Sequence, residues 1–186
     1  MRYANIDTFD ICNGEGIGIS LFVQGCPFRC HGCFNYETWD FNGGKEWTQE
    51  VEDKFIELAS KPFIKRISLL GGECLAKENI DDIYKLVNRI RLLLPQKTIW
   101  LYTGYSVNMF EVSNSDHTEI SVKPSSNNNY DLIRATIISK CDVVVDGRFE
   151  ENKKDLSLKF RGSSNQRLID VKKSLEKGDV VLWDTN

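Results

Sequence analysis

Four short apolar runs alternate along the chain with segments of helical periodicity, and this alternation limits the folds that the chain can adopt. The runs are apolar almost throughout, which is typical of strands buried on both faces of a parallel sheet. They cover residues 19–23, 67–70, 99–102 and 143–145. Such alternation favours βαβ units with right-handed crossovers, arranged as an open sheet or as a full or partial barrel. The predicted fold class is therefore α/β, and the pattern alone leaves the closure of a barrel open.

Three segments place their apolar side chains on one face of a helix. The clearest ends at residue 94, before Pro95, which cannot continue a helix, and carries apolar residues from position 83 onward. A second covers residues 51–59 after Thr48, whose hydroxyl can cap a helix N-terminus. A third covers residues 130–138. These helices are the expected connections between the strands.

The length of 186 residues and the hydrophobic content of 41% predict one domain over residues 1–186. Within it, residues 113–129 are polar and rich in Ser and Asn, which indicates an extended connection at the surface. The tail at residues 167–186 holds two strand-like runs, residues 168–171 and 180–183, on either side of a turn. We therefore expect a closing pair of short strands.

The charge balance excludes some classes of partner. Lysine and arginine total 24 against 27 acidic residues, so the net charge of −3 provides no basic field for nucleic acid. The first ten residues lack a basic stretch followed by an apolar run, and nowhere do about eighteen apolar residues follow one another. We expect a soluble cytoplasmic protein with no nucleic acid and no membrane among its partners.

Polar and glycine-rich segments follow each of the four predicted strands. They cover residues 26–33, 71–73, 103–105 and 146–148. The carboxyl ends of parallel strands form the ligand-binding side of α/β folds, so these four loops are expected to meet at one site.

Three of the six cysteines lie in the first of these loops at CxxxCxxC spacing: Cys26, Cys30 and Cys33. Without a signal peptide, a chain of this length does not call for a disulfide framework, so the crowded cysteines indicate a metal site. Iron–sulfur clusters commonly use four cysteines, which leaves one iron open to substrate unless Cys12, Cys74 or Cys141 completes the set. The alternative is a structural zinc site completed by His31 or by a distant cysteine, and the spacing leaves both open.

The loop Gly71-Gly72-Glu73 has a composition that suits ligand binding. Glycines let backbone groups approach a ligand closely, and a carboxylate can accept hydrogen bonds from a ligand ammonium group. Cys74 beside it is expected to be a small core residue.

Together, CxxxCxxC after a first strand and Gly-Gly-Glu after a second resemble the radical S-adenosylmethionine (SAM) superfamily. More narrowly, further motifs are similar to those of the activating enzymes of anaerobic (class III) ribonucleotide reductases, in the same order. They are Asn-Gly-Glu-Gly at residues 13–16, Cys-Phe-Asn at 33–35, Tyr-Thr-Gly-Tyr at 102–105, Val-Asp-Gly-Arg-Phe at 145–149 and Arg-Gly-Ser-Ser-Asn-Gln at 161–166.

This resemblance implies a partial (β/α) barrel and a [4Fe-4S] cluster held by Cys26, Cys30 and Cys33, with the fourth iron chelated by SAM. It also implies a set of SAM-binding residues. Gly32 and Phe34 flank the last cysteine, the methionine ammonium lies at the 71–73 loop, and Asp146 and Arg148 stand where related activases have Asp-x-Lys. The implied SAM-binding set is therefore Gly32, Phe34, Gly71, Gly72, Glu73, Asp146 and Arg148.

The implied reaction begins with one electron from a flavodoxin or ferredoxin, which lets the cluster cleave SAM to methionine and a 5'-deoxyadenosyl radical. That radical takes a hydrogen atom from a glycine of the anaerobic ribonucleotide reductase large subunit and leaves a glycyl radical. The glycine loop of the reductase is expected to enter between residues 102–105 and 161–167, while the 113–129 connection lies outside. Whether the chain forms a homodimer stays open.

Two other functions stay as alternatives. One is another small radical SAM enzyme, such as a pyruvate formate-lyase type activase or a deazaguanine-forming enzyme, although the motifs at 102–105 and 161–166 argue against both. The other is a non-catalytic binding module stabilised by zinc. Iron and sulfide analysis separates the cluster from the zinc module.

Overall fold

The computed structural model describes residues 1–109, 119–123 and 128–185. The strands in this part of the chain are β1 Arg2–Asp10, β2 Gly18–Val23, β3 Lys45–Glu46, β4 Arg66–Gly71, β5 Thr98–Tyr102, β6 Ser106–Asn108, β7 Glu119–Ser121, β8 Val143–Asp146 and β9 Arg167–Asp170. The helices are α1 Gln49–Ala59, α2 Ile80–Leu93, α3 Asn129–Ser139 and α4 Val171–Lys177. Seven of these strands form one sheet in the order β3-β1-β2-β4-β5-β8-β9, and β6 pairs with β7.

The centre of the sheet is parallel, as the apolar runs predict. Strands β2, β4, β5 and β8 lie side by side, with Ile19 paired to Ile67 and Ile67 paired to Ile99. One face of these strands packs into the main core with side chains such as Phe55 of α1 and Ile83 of α2. The predictions of the four strands and of a mixed α/β fold are therefore confirmed.

The three predicted helices are also present. The Thr48 hydroxyl accepts a hydrogen bond from the Val51 amide at 3.3 Å and begins α1. Helix α2 ends at Leu93, two residues before Pro95, and α3 spans Asn129–Ser139. None of the helices within residues 1–109, 119–123 and 128–185 has both the length and the apolarity that crossing a membrane requires.

The edges of the sheet differ from the sequence expectation. Strand β1, which was not predicted, pairs antiparallel with β2. Most of its residues are only partly buried, and its sequence RYANIDTFD accordingly has no continuous apolar run. In the tail, the two strand-like runs lie antiparallel over a single bridge, between Ile169 and Leu182, with the Asp170 amide donating to the Val181 carbonyl at 2.9 Å and the Trp183 amide donating to the Leu168 carbonyl at 2.8 Å. Strand β9 also pairs antiparallel with β8, which was not predicted. Between the two runs lies helix α4, which Asp170 caps through the Lys173 amide.

The polar connection at residues 113–129 is only partly a surface loop. Its residues Glu119–Ser121 form β7, which pairs parallel with β6, and Ile120 is buried in the main core. Asn128 caps α3 by accepting a hydrogen bond from the Tyr130 amide. Residues 113–118 and 124–127 lie outside the described part of the chain. The predicted surface connection therefore has a buried residue at Ile120, and its end at Asn128 belongs to the start of α3.

Candidate functional site

The loops after β2, β4, β5 and β8 meet around one cavity of about 510 Å³, as predicted from their positions after parallel strands. The cavity lies at the carboxyl ends of these strands, on the face of the sheet opposite the main core. Most of the predicted site residues line it: Cys26, Cys30, Cys33, Phe34, Gly71, Gly72, Glu73 and Arg148. Gly32 and Asp146 are not part of its wall.

The three cysteines of the first loop are half-buried free thiols that face this cavity. The Cys33 amide donates to the Cys30 carbonyl at 3.1 Å, and Gly32 between them has a φ of +70°, so the loop turns tightly there. Burial and the nearby Glu73 carboxylate raise the pKa of Cys26 to about 11, and burial also raises the pKa of Cys30. Binding a metal would therefore displace protons from these thiols.

The other candidate ligands are placed differently. Cys74 and Cys141 are buried in the main core, as expected for Cys74, whereas the exposed Cys12 lines the same cavity as the three loop cysteines. The His31 ring is exposed and its Nδ1 lies 2.5 Å from Oε2 of Glu151. Among residues 1–109, 119–123 and 128–185, no three His, Cys, Asp or Glu side chains converge closely enough to hold a single metal ion. An iron–sulfur cluster does not require three side chains to converge on one ion, because each thiolate binds a different iron.

The Gly71-Gly72-Glu73 loop packs backbone to backbone against the cysteine loop. The Glu73 amide donates to the Gly25 carbonyl at 2.8 Å, and the Gly72 amide donates to the Val23 carbonyl at 2.9 Å. A Cβ at Gly72 would overlap that Gly25 carbonyl, so the contact requires glycine. The glycines thus join the two loops into one wall of the cavity.

The Glu73 carboxylate is buried and accepts three hydrogen bonds from the protein itself. Its Oε1 accepts from the Leu75 amide at 2.9 Å and from the Thr103 hydroxyl at 2.8 Å, and its Oε2 accepts from the Gly104 amide at 2.7 Å. Burial raises the pKa of this carboxyl, although the hydrogen bonds and the charge of Arg134 favour the ionised form. The side chain therefore holds the loop after β5 against the loop after β4.

Phe28, in the middle of the cysteine loop, is held between two other loops. The Arg148 guanidinium stacks over its ring at 4.5 Å, and the Tyr105 ring meets it edge-on at 4.8 Å. Tyr105 is buried and its hydroxyl accepts a hydrogen bond from Arg134 at 3.1 Å. Tyr105 is therefore not at the predicted entrance, whereas Arg161 lines the cavity.

Two predicted SAM-binding residues have structural contacts instead of cavity contacts. Asp146 is buried, and its carboxylate accepts hydrogen bonds from the Val107 amide at 2.8 Å and from Arg167 Nε at 3.0 Å. A Cβ at Gly32 would lie 2.7 Å from Oε1 of Glu151. Gly32 therefore lies against the Glu151 side chain, in the segment that follows β8.

A buried ion pair on the face of the sheet that carries the cavity was not predicted. Arg66 and Asp10 are both almost fully buried, and Arg66 donates to the Asp10 carboxylate at 3.1 Å and to the Asn13 carbonyl at 2.6 Å. Cys12 and Asn13 line the cavity, so this pair fixes part of its wall. An arginine at the start of an otherwise apolar strand is the signal that could have indicated it.

Comparisons with known proteins agree with this geometry. A family described as "4Fe-4S single cluster domain" matches residues 12–169. The anaerobic ribonucleoside-triphosphate reductase-activating protein of Escherichia coli (strain K12) is 38% identical over 168 residues, which are 89% of this chain and 96% of that protein. Proteins of the same name from Vibrio cholerae serotype O1 and Enterobacteria phage T4 are 35% and 33% identical, over 89% and 90% of this chain and 96% and 93% of their own. The chain therefore belongs to the family of anaerobic ribonucleoside-triphosphate reductase-activating proteins.

Proposed function

We propose that the protein is a radical SAM activase that forms a glycyl radical on the anaerobic ribonucleotide reductase. The observation that carries this proposal is that three cysteines and the Gly71-Gly72-Glu73 loop face one cavity in a chain of this family. The alternative of a zinc-stabilised binding module is not favoured by the family membership, and no observation favours another radical SAM enzyme.

The residues present fit a [4Fe-4S] cluster. Cys26, Cys30 and Cys33 would each supply one thiolate, and the cavity beside them leaves room for SAM at the remaining iron. When bound, the cluster supplies the electron that cleaves SAM to the 5'-deoxyadenosyl radical, which takes hydrogen from a glycine of the reductase. The cysteine loop, held at Phe28, keeps the three thiols on one side of the cavity.

The proposed SAM site has three parts. Gly71 and Gly72 present backbone groups to the methionine end, while Glu73 positions Thr103 and Gly104 at the cavity wall. Arg148 supplies a positive charge at the cavity, and Phe34 supplies an exposed aromatic ring there. Gly32 and Asp146 support this site indirectly, through Glu151 and Arg167 respectively.

We further propose that the sheet is the partial (β/α) barrel of the radical SAM type and that residues 1–186 form one domain. The parallel order β2-β4-β5-β8 supports the barrel. The electron donor would be a flavodoxin or ferredoxin and the compartment the cytoplasm, and the oligomeric state stays open between a monomer and a homodimer.

Anaerobic reconstitution with iron and sulfide tests the proposal, followed by reduction and incubation with SAM and the reductase from the same source. We expect broad visible absorption, SAM cleavage and an electron paramagnetic resonance doublet of a glycyl radical on the reductase. A protein that takes up zinc but no sulfide would contradict the cluster. A protein that cleaves SAM but never yields the doublet would contradict the partner.

A further inference from the structure

Residues 147–166, between β8 and β9, form a segment that we call the strap, and several of its residues line the cavity. The strap is folded on itself: Lys154 and Ser163 form an antiparallel bridge, and the Ser164 amide donates to the Lys153 carbonyl at 2.9 Å. The Asp155 amide also donates to the Gly162 carbonyl at 3.2 Å. These hydrogen bonds fix the position of the tip of the strap.

An apolar row runs along this tip at alternate positions and lines the cavity: Leu156, Leu158 and Phe160. Its inner end is partly buried, where the Phe160 ring packs edge-on against Trp100 with 5.3 Å between ring centroids. Leu158 is half-buried, and the outer end, Leu156, is 80% exposed. The row therefore leads from the cavity wall to the solvent, where its last side chain has no apolar cover among the described residues.

A single exposed leucine is ordinary on a protein surface. Leu92 on α2 is 79% exposed and illustrates such a residue. Leu156 differs because it ends a row that lines the cavity and because the amide of the preceding residue, Asp155, is hydrogen-bonded to the Gly162 carbonyl across the strap. Phe160 has a φ of +61°, a left-handed conformation that non-glycine residues rarely adopt.

We propose that Leu156 is a docking contact for the reductase and that it packs against an apolar side chain beside the reductase glycine. The inference rests on the proposed function. A radical made in the cavity must reach the glycine Cα at contact distance, so the reductase chain has to approach the cavity that Leu156 lines. Covering Leu156 would extend the row that is already partly buried at Phe160, which favours association.

The experiment compares Leu156→Ser with its matched control Leu92→Ser, and with Leu156→Met as the conservative variant. Glycyl-radical formation is measured against reductase concentration, together with iron content and SAM cleavage in the absence of the reductase. We expect Leu156→Ser to raise the KM for the reductase about tenfold or more, as burial of one leucine implies, with kcat nearly unchanged. Leu156→Met and Leu92→Ser should behave like the wild type.

Three outcomes would overturn the inference. In the first, Leu156→Ser has the KM of the wild type. In the second, Leu92→Ser raises the KM as much as Leu156→Ser does. In the third, Leu156→Ser loses SAM cleavage in the absence of the reductase to the same extent as it loses glycyl-radical formation. A change in oligomeric state by light scattering, with an unaltered KM, would assign Leu156 to a contact between two copies of this chain instead. Failure of the wild type to form any glycyl radical would contradict the proposed function, so the two failures are distinguishable.

Discussion

Replacement of Glu73 by glutamine tests whether this side chain organises the cavity or binds the ligand itself. The amide oxygen can take the place of Oε1 and keep the bonds to Leu75 and Thr103, but its NH2 then faces the Gly104 amide, which is also a donor. One hydrogen bond to a charged group is lost in a fully buried place. We therefore expect Glu73→Gln to lower the free energy of unfolding of the apoprotein by about 1.5–3 kcal/mol.

Urea unfolding of the apoprotein measures this loss, and calorimetry on the reconstituted protein measures SAM affinity. Thr103→Val is the comparison variant, because it removes one neutral donor to the same carboxylate together with the acceptor of the Tyr105 amide, and it should lower the free energy of unfolding by about 1–3 kcal/mol, which is two neutral hydrogen bonds. Both variants should weaken SAM binding while the iron content stays near normal. If Glu73→Gln weakened SAM binding and left the apoprotein as stable as the wild type, the carboxylate would contact SAM directly and our assignment would be wrong.

Three further predictions concern the cysteines, the buried ion pair and the loop contact. Cys30→Ala should abolish stable cluster formation while Cys12→Ala retains it, measured as iron and sulfide per chain; equal loss would refute a three-cysteine site. Asp10→Asn should lower the free energy of unfolding at pH 7 by about 3–5 kcal/mol, because it leaves Arg66 without its buried partner. Burial opposes ionisation of Asp10, but hydrogen bonds and Arg66 lower its pKa below 3.8, so the difference from wild type should shrink as the pH falls through and below that value. Gly72→Ala should reduce both cluster content and SAM affinity, since its Cβ would overlap the Gly25 carbonyl; normal values of both would contradict the close contact.

The centre of the fold could be predicted from the sequence because each central strand is buried on both faces. Residues 67–70 and 143–145 are apolar for that reason, and the helices next to them show a regular apolar face. The edges could not be predicted in the same way. Strand β1 is only partly buried, so its pattern carries little signal, and the helix α4 that lies between β9 and residues 180–183 was missed.

Much of the candidate site was predictable because loops after parallel strands share one side of a sheet. The cysteines and Gly71-Gly72-Glu73 were found in this way, and the structure brings them to one cavity. The partners of individual polar groups were not predictable. Asp146 pairs with Arg167, and the Glu73 carboxylate accepts from Thr103, 30 positions away along the chain. Such pairs depend on tertiary packing, which local sequence patterns do not record.

The contacts between the loops imply that the proposed cluster site and the proposed SAM site behave as one unit. Gly25 precedes the first cysteine and accepts a hydrogen bond from Glu73, whose carboxylate in turn holds Gly104. Gly104 leaves space for the Phe28 ring, where a Cβ would overlap it, so the chain of contacts returns to the cysteine loop. A displacement of any one of these three loops therefore moves the other two. Because the three loops are joined in this way and all line the cavity, we expect a ligand that stabilises one of them to stabilise the three cysteine thiols as well.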